Sequence, residues 1–76
     1  MTTQIATLDS SRMLRRREVE RLTALSRSSL YALMQEGRFP RPVRIGSRAV
    51  AWPAPAVRQW LEVTAAGGEW TEAKEA

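Results

Sequence analysis

The stretch L-S-R-S-S-L-Y-A-L-M-Q-E-G-R-F-P-R-P-V-R-I-G-S-R-A-V-A-W, Leu25 to Trp52, decides how this chain folds. Ser26 offers a hydroxyl to the unpaired backbone N–H groups of a helical first turn. Behind it Leu30, Leu33 and Met34 recur at spacings of three and four, which makes one apolar face of a helix from Arg27 to about Glu36. Gly37 follows at once, and glycine just past a last turn adopts the left-handed conformation that ends a helix. Phe39-Pro40-Arg41-Pro42 then enforces extended backbone, because each proline fixes its φ and lacks an N–H. Val43-Arg44-Ile45 and Arg48-Ala49-Val50-Ala51-Trp52 alternate as strands around Gly46-Ser47. A two-residue turn with glycine first suits a type II′ hairpin. That turn pairs Ile45 with Arg48, Val43 with Val50 and Arg41 with Trp52. It places Val43, Ile45, Val50 and Trp52 over the core and points Arg44 away from it.

Upstream, Val19 and Leu22 form a short apolar stripe on a helix that begins near Arg15 to Arg17 and ends about Thr23. Met13 or Leu14 packs at its start, and Glu18 lies early, where the helix dipole favours an anion. Eight residues do not hold a helix alone in water, so this element needs the next one. Thr23, Ala24 and Leu25 make a joint of only three residues, the arrangement of a helix-turn-helix. Downstream, Pro53 and Pro55 mark a third helix start. Val57, Trp60, Leu61 and Thr64 give that helix one face, ending near Gly67-Gly68. The expected architecture is mostly α with a small β-hairpin: helix, second helix, two-stranded wing, C-terminal helix, a winged helix-turn-helix. Residues 1–12 read as a flexible arm, 13–65 as the domain, and 66–76 as an acidic, frayed tail with Trp70 exposed. Trp52, Trp60 and Phe39 read as core.

Charge is distributed unevenly. The net charge is +4. Between Arg12 and Arg58, however, eleven arginines face only Glu18, Glu20 and Glu36. After Arg58 come Glu62, Glu69, Glu72 and Glu75 against Lys74. A basic body with an acidic tail implies a polyanionic partner. Arginine engages phosphate through a planar two-point geometry and reads guanine edges. The chain has no cysteine and no histidine, which excludes disulfides and removes the commonest general base and metal ligand. With no convergent carboxylate pair and no phosphate loop, an enzyme is not expected, nor a cofactor or small-molecule ligand. No apolar run reaches the roughly 20 residues of a membrane span, and the first residues lack an export signal, so a cytoplasmic protein is expected.

The second helix presents Arg27, Ser28, Tyr31, Ala32 and Gln35 outward, with no acid before Glu36. Its N-terminal residues Arg27 and Ser28 are candidates to reach base edges in a major groove, with Gln35 further along and less involved. Tyr31 either donates its hydroxyl to a phosphate or packs its ring on the hairpin. Arg41, Arg44, Ser47 and Arg48 make a basic wing for backbone or minor-groove contact. The plain alternative is that charge on an edge strand only suppresses aggregation. Arg15, Arg16 and Arg17 oppose the dipole of the first helix, which points to a phosphate nearby.

Leu14 to Trp60 resembles the AlpA-like family of small prophage regulators, and more distantly excisionase and MerR-type winged helices. The resemblance rests on Leu14-Arg15 with Glu18-Val19, and on S-R-S-S-L-Y from Ser26 to Tyr31. It continues in E-G-R-F-P-R-P-V from Glu36, in I-G-S-R-A-V-A-W from Ile45, and in Val57 with Trp60. Ser29 stands where the family often has threonine, and Pro53-Ala54-Pro55 replaces a more polar helix start. The resemblance implies a sequence-specific double-stranded DNA binder acting on phage or mobile-element promoters or excision sites. By position, Arg27, Ser28 and Tyr31 match its recognition helix, and Ser47 and Arg48 its wing. A transcriptional regulator is the leading expectation, with an excisionase-type DNA-bending factor beside it. A protein-interaction adaptor with a basic face is the rival from another class. One recognition helix reads few base pairs, so self-association or cooperative binding on DNA is also expected.

Overall fold

The computed structural model describes residues 12–72. In chain order the elements are β1 (Met13–Leu14), α1 (Arg16–Thr23), α2 (Arg27–Gln35), β2 (Val43–Arg44), β3 (Val50–Pro53) and α3 (Ala54–Ala65). The strands form an antiparallel sheet in the order β1-β3-β2. Leu14, Val19, Leu30, Phe39, Trp52 and Val57 are fully buried, with Met34 and Trp60 closing the core around them. Three helices and a small antiparallel hairpin make a winged helix-turn-helix.

Local chemistry accounts for each helix boundary. Glu18 starts α1: its carboxylate accepts the Arg15 backbone N–H at 3.2 Å and holds the Arg12 guanidinium at 2.6 Å. The Thr23 hydroxyl donates back to the Val19 carbonyl at 2.7 Å, and Ala24 then turns left-handed at φ 62°. Ser26 caps α2, its Oγ accepting from the Ser29 N–H at 3.1 Å. At the other end Gly37, at φ 74°, donates to the Met34 carbonyl and Arg38 donates to that of Leu33, a closed Schellman pair. The same pair ends α3, with Gly67 bonded to Thr64 and Gly68 to Val63. Helix α3 begins at Ala54, with Pro53 as its N-cap and Pro55 in its first turn, where proline costs no hydrogen bond.

Three expectations are corrected. The sheet was expected to hold only the two strands of the wing, with Met13 or Leu14 packing at the start of the first helix; Leu14 is buried there, but the two residues are also paired. They form a third strand, with Leu14 opposite Trp52 and the Ala54 N–H bonded to the Arg12 carbonyl at 3.0 Å. Two residues are too few for any alternation to announce them.

The hairpin register is shifted by one residue. Ile45 N–H bonds to the Ala49 carbonyl at 2.9 Å, so the loop is Gly46-Ser47-Arg48, and Val43 pairs with Ala51 and Arg44 with Val50. Gly46 lacks the positive φ that a type II′ turn needs. A one-residue slip exchanges the two faces of a strand. The slip puts Val43 and Ile45 on the face away from Trp52, where they are 44% and 47% exposed; Val50 keeps the Trp52 face yet is 40% exposed, and Ala51 and Trp52 are buried. Arg44, opposite Val50, shares the face of Trp52 and is exposed beyond the edge of the core.

The segment expected to fray does not run free as far as it is described. The Trp70 ring packs against the core cluster and its Nε1–H donates to Gln59 Oε1 at 3.3 Å. Glu72 N–H bonds to the Gly37 carbonyl at 2.8 Å. The two glycines that end α3 turn the chain back so that Trp70 can bury apolar area. Of the expected N-terminal arm, residues 1–11 lie outside the described residues, as do 73–76 at the other end.

Candidate nucleic-acid interface

The joint between α1 and α2 sets the exposed face of α2. Leu30 and Met34 are buried and Leu33 is half-buried, which fixes the rotation of the helix and leaves Arg27, Ser28, Tyr31 and Gln35 exposed. Arg27 stands at the helix start with its guanidinium carbon 5.8 Å from the centre of the Tyr31 ring. That stacking restrains the arginine without consuming its N–H donors. Ser28 projects beside it, free of the capping role that Ser26 and Ser29 share.

Tyr31 is the wall between two open grooves. One, of about 380 Å³, is lined by Arg15, Arg16, Arg17, Tyr31, Arg48, Ala49 and Val50. It brings the start of α1, the middle of α2 and the wing onto one concave surface. The second, of about 350 Å³, is lined by Tyr31, Met34, Gln35, Arg41 and Pro42. Tyr31 is 41% exposed and lines the groove that the wing residues Arg48, Ala49 and Val50 also line.

Ion pairing divides the arginines into two sets. Arg12 pairs with Glu18, Arg16 with Glu20 at 2.6 Å, Arg38 with Glu36 and Glu69, and Arg41 with Glu72. Arg15, Arg17, Arg21, Arg27, Arg44 and Arg48 pair with no carboxylate among the described residues. Three of them, Arg15, Arg17 and Arg48, line the groove beside Tyr31, and cations without carboxylate partners there present donors to an external anion. Arg16 and Arg41 belong to the expected set of contacts but carry internal partners. Sequence reasoning missed Arg21, which lines a shallow surface with Arg16, Arg17 and Glu20; its spacing of four from Arg17 was the available signal. Ser47 is exposed in the wing loop. Among the described residues no group of three His, Cys, Asp or Glu side chains could hold a metal ion, and no helix is long and apolar enough to cross a membrane.

Comparison with known proteins gives this geometry a family. Residues 12–64 match the family described as prophage CP4-57 regulatory protein (AlpA). The chain belongs to the AlpA family. That family is a regulatory, DNA-binding one and not a family of enzymes. The matched span takes in every strand, α1 and α2, and all but the last residue of α3. A protein of Enterobacteria phage P4, described as uncharacterized protein ORF88, is 40% identical over 60 residues, covering 79% of this chain and 68% of the relative. No solved structure matches the chain.

Proposed function

We propose that this AlpA-family protein is a sequence-specific double-stranded DNA-binding regulator of prophage or mobile-element origin, acting in the cytoplasm on the nucleoid and carrying no catalytic site. Arg27 and Ser28, at the N-terminus of α2, enter the major groove and contact base edges. Arg44, Ser47 and Arg48 follow the neighbouring backbone, and Arg15 to Arg17 with Tyr31 take phosphates on the other flank.

The observation that supports this reading is the single groove lined by Arg15, Arg17, Tyr31 and Arg48, with most of its cations unpaired. The molecule extends 38 Å at most, so one copy covers about one helical turn of duplex. Useful specificity then calls for several copies, as tandem or symmetric sites.

The test is titration with random duplex DNA at several salt concentrations, followed by selection from a random pool. With four to six phosphates contacted, log K falls against log salt with a slope of about −4 to −5. The selected pool yields a motif whose repeat spacing reports the number of copies bound. Absence of duplex binding even at low salt overturns the proposal and favours a protein adaptor.

A further inference from the structure

The chain after α3 returns to the connection between α2 and β2, far in sequence from where it started. Residues 68–72 form a strap tied to the domain along its length. Glu72 N–H bonds to the Gly37 carbonyl, and Trp70 packs on the core and bonds to Gln59. Glu69 Oε2 lies 2.7 Å from Arg38 Nη2, and Glu72 Oε2 lies 3.7 Å from Arg41 Nε.

The last of these contacts differs from the others. Arg41 lines the groove shared with Tyr31 and Gln35, at the C-terminal half of the exposed face of α2. Among the described residues it is the only arginine lining that groove, and the Glu72 carboxylate lies beside it. At 3.7 Å the pair is too long for a hydrogen bond, and its side chains are 62% and 42% exposed. Such a pair is loose, screened by salt and open to exchange. The Glu72 backbone is nonetheless anchored on Gly37, so the carboxylate stays near Arg41 whether or not the pair is closed. Carboxylate and phosphate oxygens compete for the same guanidinium donors.

We propose that the strap is an autoinhibitory latch in which Glu72 occupies Arg41 in the free protein and yields it to a DNA phosphate on binding. The latch holds DNA affinity below the level that the cationic surface alone would give. This rests on the DNA-binding reading above.

The test compares the parent chain, Glu72→Gln, Arg41→Gln and the double variant, binding one random duplex of about 20 base pairs across a salt series. Glu72→Gln keeps the backbone bond to Gly37 and the exposed position, and circular dichroism checks that the helices persist. The latch predicts that Glu72→Gln binds about two- to fivefold tighter at low salt. Its salt slope is steeper, by no more than the roughly 0.9 that one phosphate contributes. In the Arg41→Gln background the same substitution changes nothing.

If Glu72→Gln binds like the parent, the latch is wrong and DNA binding stands. An equal gain with and without Arg41 assigns the effect to net charge and also overturns the latch. If only Glu72→Gln binds, the latch is supported in its strongest form. If no variant binds duplex, the DNA reading and the latch fall together.

Discussion

The indole Nε1–H of Trp52 donates to the carbonyl oxygen of Pro40 at 2.9 Å, and both residues are buried. Trp60 does the same two residues earlier, donating to the Arg38 carbonyl at 3.0 Å. The two indoles thus grip the Arg38–Pro40 segment, which bends at Phe39, lies between the end of α2 and the wing and forms no strand of its own. Phe39, between them, packs its ring 5.1 Å from that of Trp60 at 57°. This segment sets the position of the wing relative to α2.

Replacing Trp52 with Phe keeps an aromatic in the core but leaves the Pro40 carbonyl buried and unpaired. The cost is about 1–3 kcal/mol, the desolvation penalty of such a group. For a domain of this size each kcal/mol lowers the thermal midpoint by roughly 4–8 °C. Trp60→Phe costs less, because its bond to Arg38 is only part-buried and water can replace the donor. Equal losses in calorimetry would refute the distinction.

The wing gives a sharper test, because the sequence pattern and the structure disagree there. Alternation made Val43, Ile45 and Val50 core residues, yet all three are well exposed. Ile45→Thr and Val43→Thr are therefore expected to cost no more than about 0.5 kcal/mol, as ordinary surface changes do. Ala51→Leu adds volume where Ala51 is fully enclosed and costs about 1–3 kcal/mol. Urea denaturation ranks the three, and a larger loss at Ile45 than at Ala51 would restore the two-residue turn. The reason the pattern misled is physical: Val43, Ile45 and Val50 satisfy a hydrophobic pattern without being buried, and a turn one residue longer leaves the same composition. What settles the register is Trp52 fixed on Pro40 and Leu14 opposite it, and neither contact is local in sequence. Helices α2 and α3, by contrast, were legible from Ser26, Gly37, Pro55 and Gly67, because caps act within one turn of the residues that announce them. Of the candidate site, the outward residues of α2 followed from its apolar face. The pairing of Arg41 with Glu72 did not, since 31 residues separate them.

The joint of the helix-turn-helix holds removable strain. Ala24 has φ 62°, the sole non-glycine residue in the left-handed region among those described. A side chain there costs about 1–2 kcal/mol, partly offset in an Ala24→Gly variant by the greater freedom of glycine in the unfolded chain. The variant should be about 0.5–1 kcal/mol more stable. Ser26→Ala, two residues on, acts in the opposite direction by removing the acceptor for the Ser29 N–H, at a cost of about 0.5–2 kcal/mol. Chemical denaturation with an unchanged m-value reads both. A destabilised Ala24→Gly would mean that the joint depends on the Ala24 methyl for packing.

The two sets of arginines make separable predictions for DNA. Arg17 and Arg48 border the main groove without internal partners, so Arg17→Gln and Arg48→Gln should each lower affinity for every duplex alike. Each should also make the salt slope shallower by about 0.9. Arg12, pinned to Glu18 beside β1, is engaged in holding the start of α1. Arg12→Gln should lower thermal stability and leave the slope unchanged, because no phosphate contact is lost. Arg27→Ala should act differently from all of these: affinity for random DNA changes little, and preference for the selected motif falls by roughly 1–3 kcal/mol. Binding isotherms of the four variants on selected and random duplexes, at matched salt, distinguish the three behaviours. A uniform loss from Arg27→Ala would move that residue from base reading to backbone contact. A changed slope from Arg12→Gln would show that the short Arg12–Glu18 pair does not withhold its arginine from DNA.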